Sequence, residues 1–194
     1  MRVVAGDRRG RRLSSAPGRE IRPTSERARA GLFDWLGPRV VGARVLDLFA
    51  GTGALGIEAL SRGASDAVFV DRSRGALRVL RRNLAELALA ERARVVERDL
   101  TRGLGALGAG KARFDLVFAD PPYDGEWLAR LLGCEALPQL LNPDAVVIAE
   151  RSARGAAAPE TARLRLRGGK RYGETAFDWY ENEAATAEPG GAEP

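Results

Sequence analysis

The run Val45-Leu46-Asp47-Leu48-Phe49 leads directly into Ala50-Gly51-Thr52-Gly53-Ala54-Leu55-Gly56, and few folds accommodate an apolar strand that turns at once on closely spaced glycines. Glycine lets the backbone bend sharply and approach a ligand with no Cβ in the way. Beyond this loop, short apolar runs alternate with stretches of helical period. The runs Arg44–Phe49, Ala67–Val70, Ala93–Glu97, Phe114–Ala119 and Ala145–Glu150 are expected as strands, and Ala54–Ser61, Ser73–Leu87 and Gly125–Leu132 as helices. That alternation is the pattern of parallel βαβ units. Arg163–Arg167 and Thr175–Glu181 add an antiparallel pair, expected to join through Gly168-Gly169 and Gly173. The predicted fold is therefore α/β, a doubly wound, mostly parallel, seven-stranded Rossmann-like sheet whose ligand sits at the carboxyl ends of the strands.

The first 38 residues have a different character. Arg2–Ala5 and Arg12–Ser15 flank the Gly6 to Gly10 turn region and predict a short hairpin, and Thr24 to Leu36 carries Ala28, Leu32 and Leu36 at helical spacing, with Thr24 or Ser25 as N-cap. Residues 1–30 hold nine arginines against Asp7, Glu20 and Glu26, so the chain's net charge of +5 resides in this segment. A basic arm beside a nearly neutral body suits a polyanion partner, because arginine forks onto phosphate and releases counterions; the alternative is a solubilising arm. The domain expectation is a basic extension over 1–38 that docks RNA, a ligand-binding domain over 39–182 and a disordered tail over 183–194, where Ala, Glu, Pro and Gly dominate.

Histidine is absent and Cys134 stands alone, so neither a zinc site nor an internal disulfide is expected. No run of about 18 apolar residues occurs, and the N-terminus lacks the apolar stretch of a signal peptide. A cytoplasmic, metal-free, membrane-free monomer is the expectation.

Taken literally, Gly51, Gly53 and Gly56 spell a dinucleotide fingerprint, with Asp71 placed to hold ribose hydroxyls at the end of the next strand. A nicotinamide enzyme fits that far. Asp47 argues for a different ligand: an acid within the first strand suits the cationic amino group of S-adenosyl-L-methionine, the alternative being a buried carboxylate that caps the glycine turn. The candidate cofactor residues are Asp47, Phe49, Ala50, Gly51, Gly53, Asp71, Arg72, Asp99 and Leu100. Asp99 can accept from the adenine amino group or cap the helical turn that follows it.

Asp120-Pro121-Pro122-Tyr123 follows the strand Phe114–Ala119 and so falls at the carboxyl edge of the sheet. An exocyclic amine on a nucleobase is a poor nucleophile because its lone pair is delocalised into the ring. The Asp120 carboxylate and the Pro121 carbonyl, held by the rigid Pro121-Pro122 step, can accept the two amine hydrogens and aim the lone pair at a sulfonium methyl. Tyr123 would stack on a base that has left its helix. These features specify a class I methyltransferase with catalytic residues Asp120, Pro121, Pro122 and Tyr123.

With Asp47–Gly56 and Asp120–Tyr123 identified, the chain resembles the RsmD family of bacterial guanine-N2 methyltransferases of small-subunit ribosomal RNA. The resemblance extends to Arg2-Val3-Val4-Ala5-Gly6, Arg9-Gly10-Arg11, Arg22-Pro23-Thr24-Ser25-Glu26-Arg27, Asn83-Leu84 and Tyr172-Gly173-Glu174-Thr175. It implies docking of small-subunit ribosomal RNA, free or in an assembling subunit, by the arm and its helix. Arg9, Arg11, Arg12, Arg22, Thr24 and Arg27 are the RNA-binding candidates. Asp-Pro-Pro-Tyr serves adenine-N6 methyltransferases equally well, so guanine rests on the resemblance. An adenine-N6 enzyme and a non-catalytic ribosome-assembly factor are the alternatives.

Overall fold

A computed structural model describes residues 1–15, 25–104, 107, 113–121 and 126–183. Seven strands form one sheet: β1 (Arg44–Leu48), β2 (Asp66–Asp71), β3 (Ala93–Glu97), β4 (Phe114–Ala119), β5 (Leu141–Ser152), β6 (Leu164–Tyr172) and β7 (Thr175–Asn182). Their order is β3-β2-β1-β4-β5-β7-β6, with β7 antiparallel to both neighbours and the remaining pairs parallel. The chain leaves β1 toward β2 and β3, then returns to β4 on the other side of β1. That reversal opens a crevice at the carboxyl ends of β1 and β4.

Alternate strand residues feed two cores. Val45, Phe69, Phe118, Ile148 and Phe177 face one layer, packed under α1 (Glu26–Leu36), α2 (Ala54–Ser61) and α3 (Arg74–Glu86). Leu46, Leu48, Val117, Val147 and Tyr180 face the other, under α4 (Trp127–Leu132) and α5 (Ala136–Gln139). Leu32, Phe33 and Leu36 of α1 are buried as their helical spacing requires, with the Phe33 ring 5.6 Å from that of Phe118. Ser25 caps this helix, its hydroxyl accepting the Ala28 N–H at 3.1 Å.

The N-terminal hairpin is reduced to one bridge, Arg2 with Arg12, reinforced by Val3 N–H to Arg11 C=O at 3.0 Å and Gly10 N–H to Val3 C=O at 2.9 Å. It is pinned to the body by buried polar groups. Glu58 accepts the N–H groups of Val4 and Ala5 at 2.8 and 2.9 Å, and the Ser61 hydroxyl donates to Ala5 C=O at 2.6 Å while accepting Arg8 N–H at 3.0 Å. Gly6, at φ +79°, lies so close to the Ser61 carbonyl that a Cβ there would collide with it.

Three expectations need correction. Strand β1 ends at Leu48, because Phe49 takes a left-handed φ of 59°. Strand β5 starts earlier than expected, at Leu141, and runs to Ser152. Gly168 and Gly169 lie inside β6, and the turn into β7 is at Gly173. The two glycines are there for close packing: a Cβ on Gly168 would come within 2.7 Å of the Trp179 ring, and one on Gly169 would strike the Asp178 carboxylate.

Candidate active site

The loop after β1 is held by side chains from two other elements, β2 and α3. Phe49, half-buried and in its left-handed conformation, turns the chain out of the sheet. Ala50 N–H then donates to Val70 C=O at 3.0 Å, and Gly51 and Gly53 take φ values of 55° and 85°. A residue other than glycine strains at such angles. The Asp71 carboxylate accepts Gly51 N–H at 2.8 Å with one oxygen and Ser73 N–H at 2.7 Å with the other, which ties the loop to the start of α3. Asn83 of α3 donates to Thr52 C=O at 3.1 Å from the opposite side.

Asp47 is 2% exposed, and its Oδ2 accepts Gly56 N–H at 2.9 Å. The N-cap of α2 is Gly53, which has no side chain to offer, so Asp47 supplies from the sheet the acceptor that a cap residue would have provided. The capping alternative for Asp47 is thus realised. Burial raises the Asp47 pKa to about 7, opposed by the Gly56 hydrogen bond and assisted by Asp71 and Glu150.

Asp120 follows β4, its N–H 3.4 Å from Leu48 C=O, and Pro121 is buried behind it. Burial pushes the Asp120 carboxyl well above the ordinary range, with Glu150 and Asp47 adding to the effect. Pro122 and Tyr123 lie outside the described residues. Glu150 was not singled out from the sequence, where it only ends an apolar run. In the structure it is 2% exposed on β5, one position beyond the Ala119–Ala149 pair. An acid closing a strand next to the Asp-Pro-Pro strand was the available signal.

Asp99 caps the helical turn Leu100–Arg102, accepting Thr101 N–H at 3.0 Å, and this bond holds its pKa down. It also lines a cleft of about 550 Å³ with Arg72, Ser73, Glu97, Arg98 and Arg102. Leu100 is half-buried against the second core. The crevice thus offers a tight glycine turn, a buried acid at the β1 end and polar groups beside a cleft at the β2 and β3 ends. The chemistry of that set, an acid, a close-approach loop and polar groups beside a cleft, is compatible with S-adenosylmethionine.

Among the RNA-binding candidates, Arg9, Arg11 and Arg12 are all exposed on the hairpin, and Arg11 also donates to Glu86 C=O at 3.2 Å. Arg27, exposed at the start of α1, lines a cleft of about 540 Å³ with Gly31, Asp34, Trp35, Lys170 and Tyr172. Arg22 and Thr24 lie outside the described residues. Among the described residues, no helix is long and apolar enough to cross a membrane, and no group of His, Cys, Asp and Glu could hold a metal ion.

A family model described as "Conserved hypothetical protein 95" matches residues 1–181. The ribosomal RNA small subunit methyltransferase D of Escherichia coli K12 is 35% identical over 184 residues, 95% of this chain and 91% of that protein. A hypothetical protein of Thermus thermophilus superposes with a TM-score of 0.76 at 32% identity, covering 95% of this chain and 99% of that one. The ribosomal protein L11 methylase of Lactobacillus delbrueckii shares the fold at a TM-score of 0.55 and 20% identity, over 73% of this chain and 70% of that one. The expected seven-stranded class I methyltransferase sheet is therefore present, and the chain belongs to the matched family, the RsmD family of S-adenosylmethionine-dependent rRNA methyltransferases.

Proposed function

We propose that this enzyme methylates the exocyclic N2 amine of a guanine in small-subunit ribosomal RNA, with Asp120 and the Pro121 carbonyl as the groups that hold the amine. The observation that carries the reading is the position of Asp120, at the carboxyl edge of β4 beside the glycine loop. The cofactor, when bound, supplies an electrophilic methyl on a sulfonium. Asp120 and Pro121 accept the amine hydrogens, which localises the nitrogen lone pair and fixes its direction. Asp47 would face the cofactor's ammonium, the glycine loop would allow its close approach, and Asp71, Arg72 and Asp99 would face its ribose and adenine; held there, it would supply the methyl to the nitrogen and keep the electron pair of the broken S–C bond on sulfur. The surplus proton on nitrogen passes to Asp120 or water. Tyr123 stacks on the extruded base in this scheme.

The basic hairpin with Arg9 and Arg12, the Arg22–Arg27 segment and the cleft beside Lys170 and Tyr172 are proposed to dock the RNA. The extension 1–38 serves docking, 39–182 carries chemistry, and the protein acts as a cytoplasmic monomer without metal. Transfer of labelled methyl to unmodified small subunits, followed by nucleoside digestion, tests the reading. Label in N2-methylguanosine is expected, and label confined to N6-methyladenosine would refute it.

A further inference from the structure

Glu150 has no part in the scheme above, yet its placement is that of a ligand-reading group. Strand alternation puts it on the face of Val146 and Ile148, the layer that also contains Phe118 and receives Asp47. Since Ala119 pairs with Ala149, Asp120 and Glu150 occupy the next rung, about one inter-strand spacing of ~4.8 Å apart. On the other side Glu150 pairs with Phe177, so an apolar wall backs it. In the strand order β1-β4-β5, Asp47, Asp120 and Glu150 follow one another across the same face, so Glu150 stands on the side of Asp120 away from Asp47, and its charge reaches both.

The Watson–Crick edge of guanine presents the N2 amine beside a second donor, N1–H. Adenine has an acceptor at N1. A carboxylate has about four acceptor sites, so Glu150 can keep a contact within the protein and still accept from a base. From this geometry, and resting on the guanine-N2 reading, we infer that Glu150 accepts N1–H of the target base while Asp120 and Pro121 hold its amine, making Glu150 the residue that selects guanine over adenine. A buried carboxylate facing an N1 lone pair would have no donor and would be repelled, a larger penalty than the loss of one neutral contact.

The probe is 2-aminopurine, which keeps the 2-amino group and lacks the N1 hydrogen and O6; the loss of O6 is common to both enzymes, so the change in preference on substituting Glu150 isolates N1. Subunits are reconstituted with guanine or 2-aminopurine at the nucleotide that the wild type labels, and kcat/KM is measured for wild type and Glu150→Gln. Wild type should prefer guanine by about tenfold or more. In Glu150→Gln the amide can donate to the bare N1, so the preference should shrink to within about threefold while the Kd for S-adenosylmethionine stays within about twofold of wild type. An unchanged preference overturns the inference, as does an unchanged preference accompanied by lost cofactor binding, which would assign Glu150 to the ammonium. If the Gln variant does not fold, equal use of the two bases by wild type overturns the inference, and Glu150→Asp is measured in its place, a preference reduced from that of wild type supporting the inference and an unchanged one overturning it. Failure of the parent reading is separate, since it shows as wild-type label in adenine.

Discussion

Asn83 grips both backbone polar groups of Ser14, its Oδ1 accepting the N–H at 2.8 Å and its Nδ2 donating to the C=O at 3.2 Å, while Nδ2 also donates to Thr52 C=O in the glycine loop. One buried side chain thus joins the base of the arm to the cofactor turn.

Replacing Asn83 with Ala leaves buried backbone groups without partners and should cost about 1–3 kcal/mol of stability. The Kd for S-adenosylmethionine should also weaken several-fold, because Thr52 loses its anchor. Thermal unfolding and a cofactor titration check both, and an unchanged Kd would show that the loop holds itself.

Asp47 predicts a pH dependence of defined sign. Its folded pKa of about 7 lies above the unfolded value of about 3.9, so its favourable contribution is complete below pH ~4 and is lost as pH rises through about 7. The cofactor-free wild type should therefore lose stability relative to Asp47→Asn between pH ~5 and about 8. Affinity for the cationic cofactor should rise over the same change, from pH ~5.5 to ~7.5. Parallel melting curves for the two proteins would contradict the burial argument.

The arm's charges do not all serve one purpose. Arg29 is fully buried 3.5 Å from Glu58, and Arg8 donates to Leu87 C=O at 2.6 Å, near the end of α3 where carbonyls lack helical partners. Arg9 and Arg12 are exposed on the hairpin, as is Arg11, and replacing Arg9 and Arg12 with Ala should lower the log–log salt slope of RNA binding by about 1–2 with cofactor affinity unchanged. An unaltered slope would make the arm a solubilising element.

Glu58, itself 1% exposed, collects two backbone N–H groups, Arg62 at 2.9 Å and Arg29. Substituting Gln removes the charge that balances buried Arg29 and should cost about 3 kcal/mol or more. Chemical denaturation measures this, and a loss under about 1 kcal/mol would mean that the hairpin is held by its other contacts, the Ser61 and Asn83 hydrogen bonds and the burial of Val3 and Leu13.

Strands β1 to β4 were legible because each is an apolar run bounded by turn residues, and the glycine loop with Asp120 located the crevice. What escaped depended on neighbours distant in sequence. Gly168-Gly169 has the composition of a turn, and only the Trp179 ring and Asp178 carboxylate across the strand explain glycine there. Arg29 counts as basic in composition, yet its partner Glu58 lies on α2, so its charge is spent inside the protein. Glu150 ends its run as any strand-terminal acid might; the β4–β5 register gives it meaning.

The most direct test of the chemistry compares Asp120→Ala with wild type in two assays on the same preparation, cofactor binding and methyl transfer to unmodified small subunits. A carboxylate that holds the amine predicts loss of transfer by at least about 100-fold with cofactor Kd within a few-fold of wild type. Transfer at the wild-type rate in that variant would contradict the assignment of Asp120.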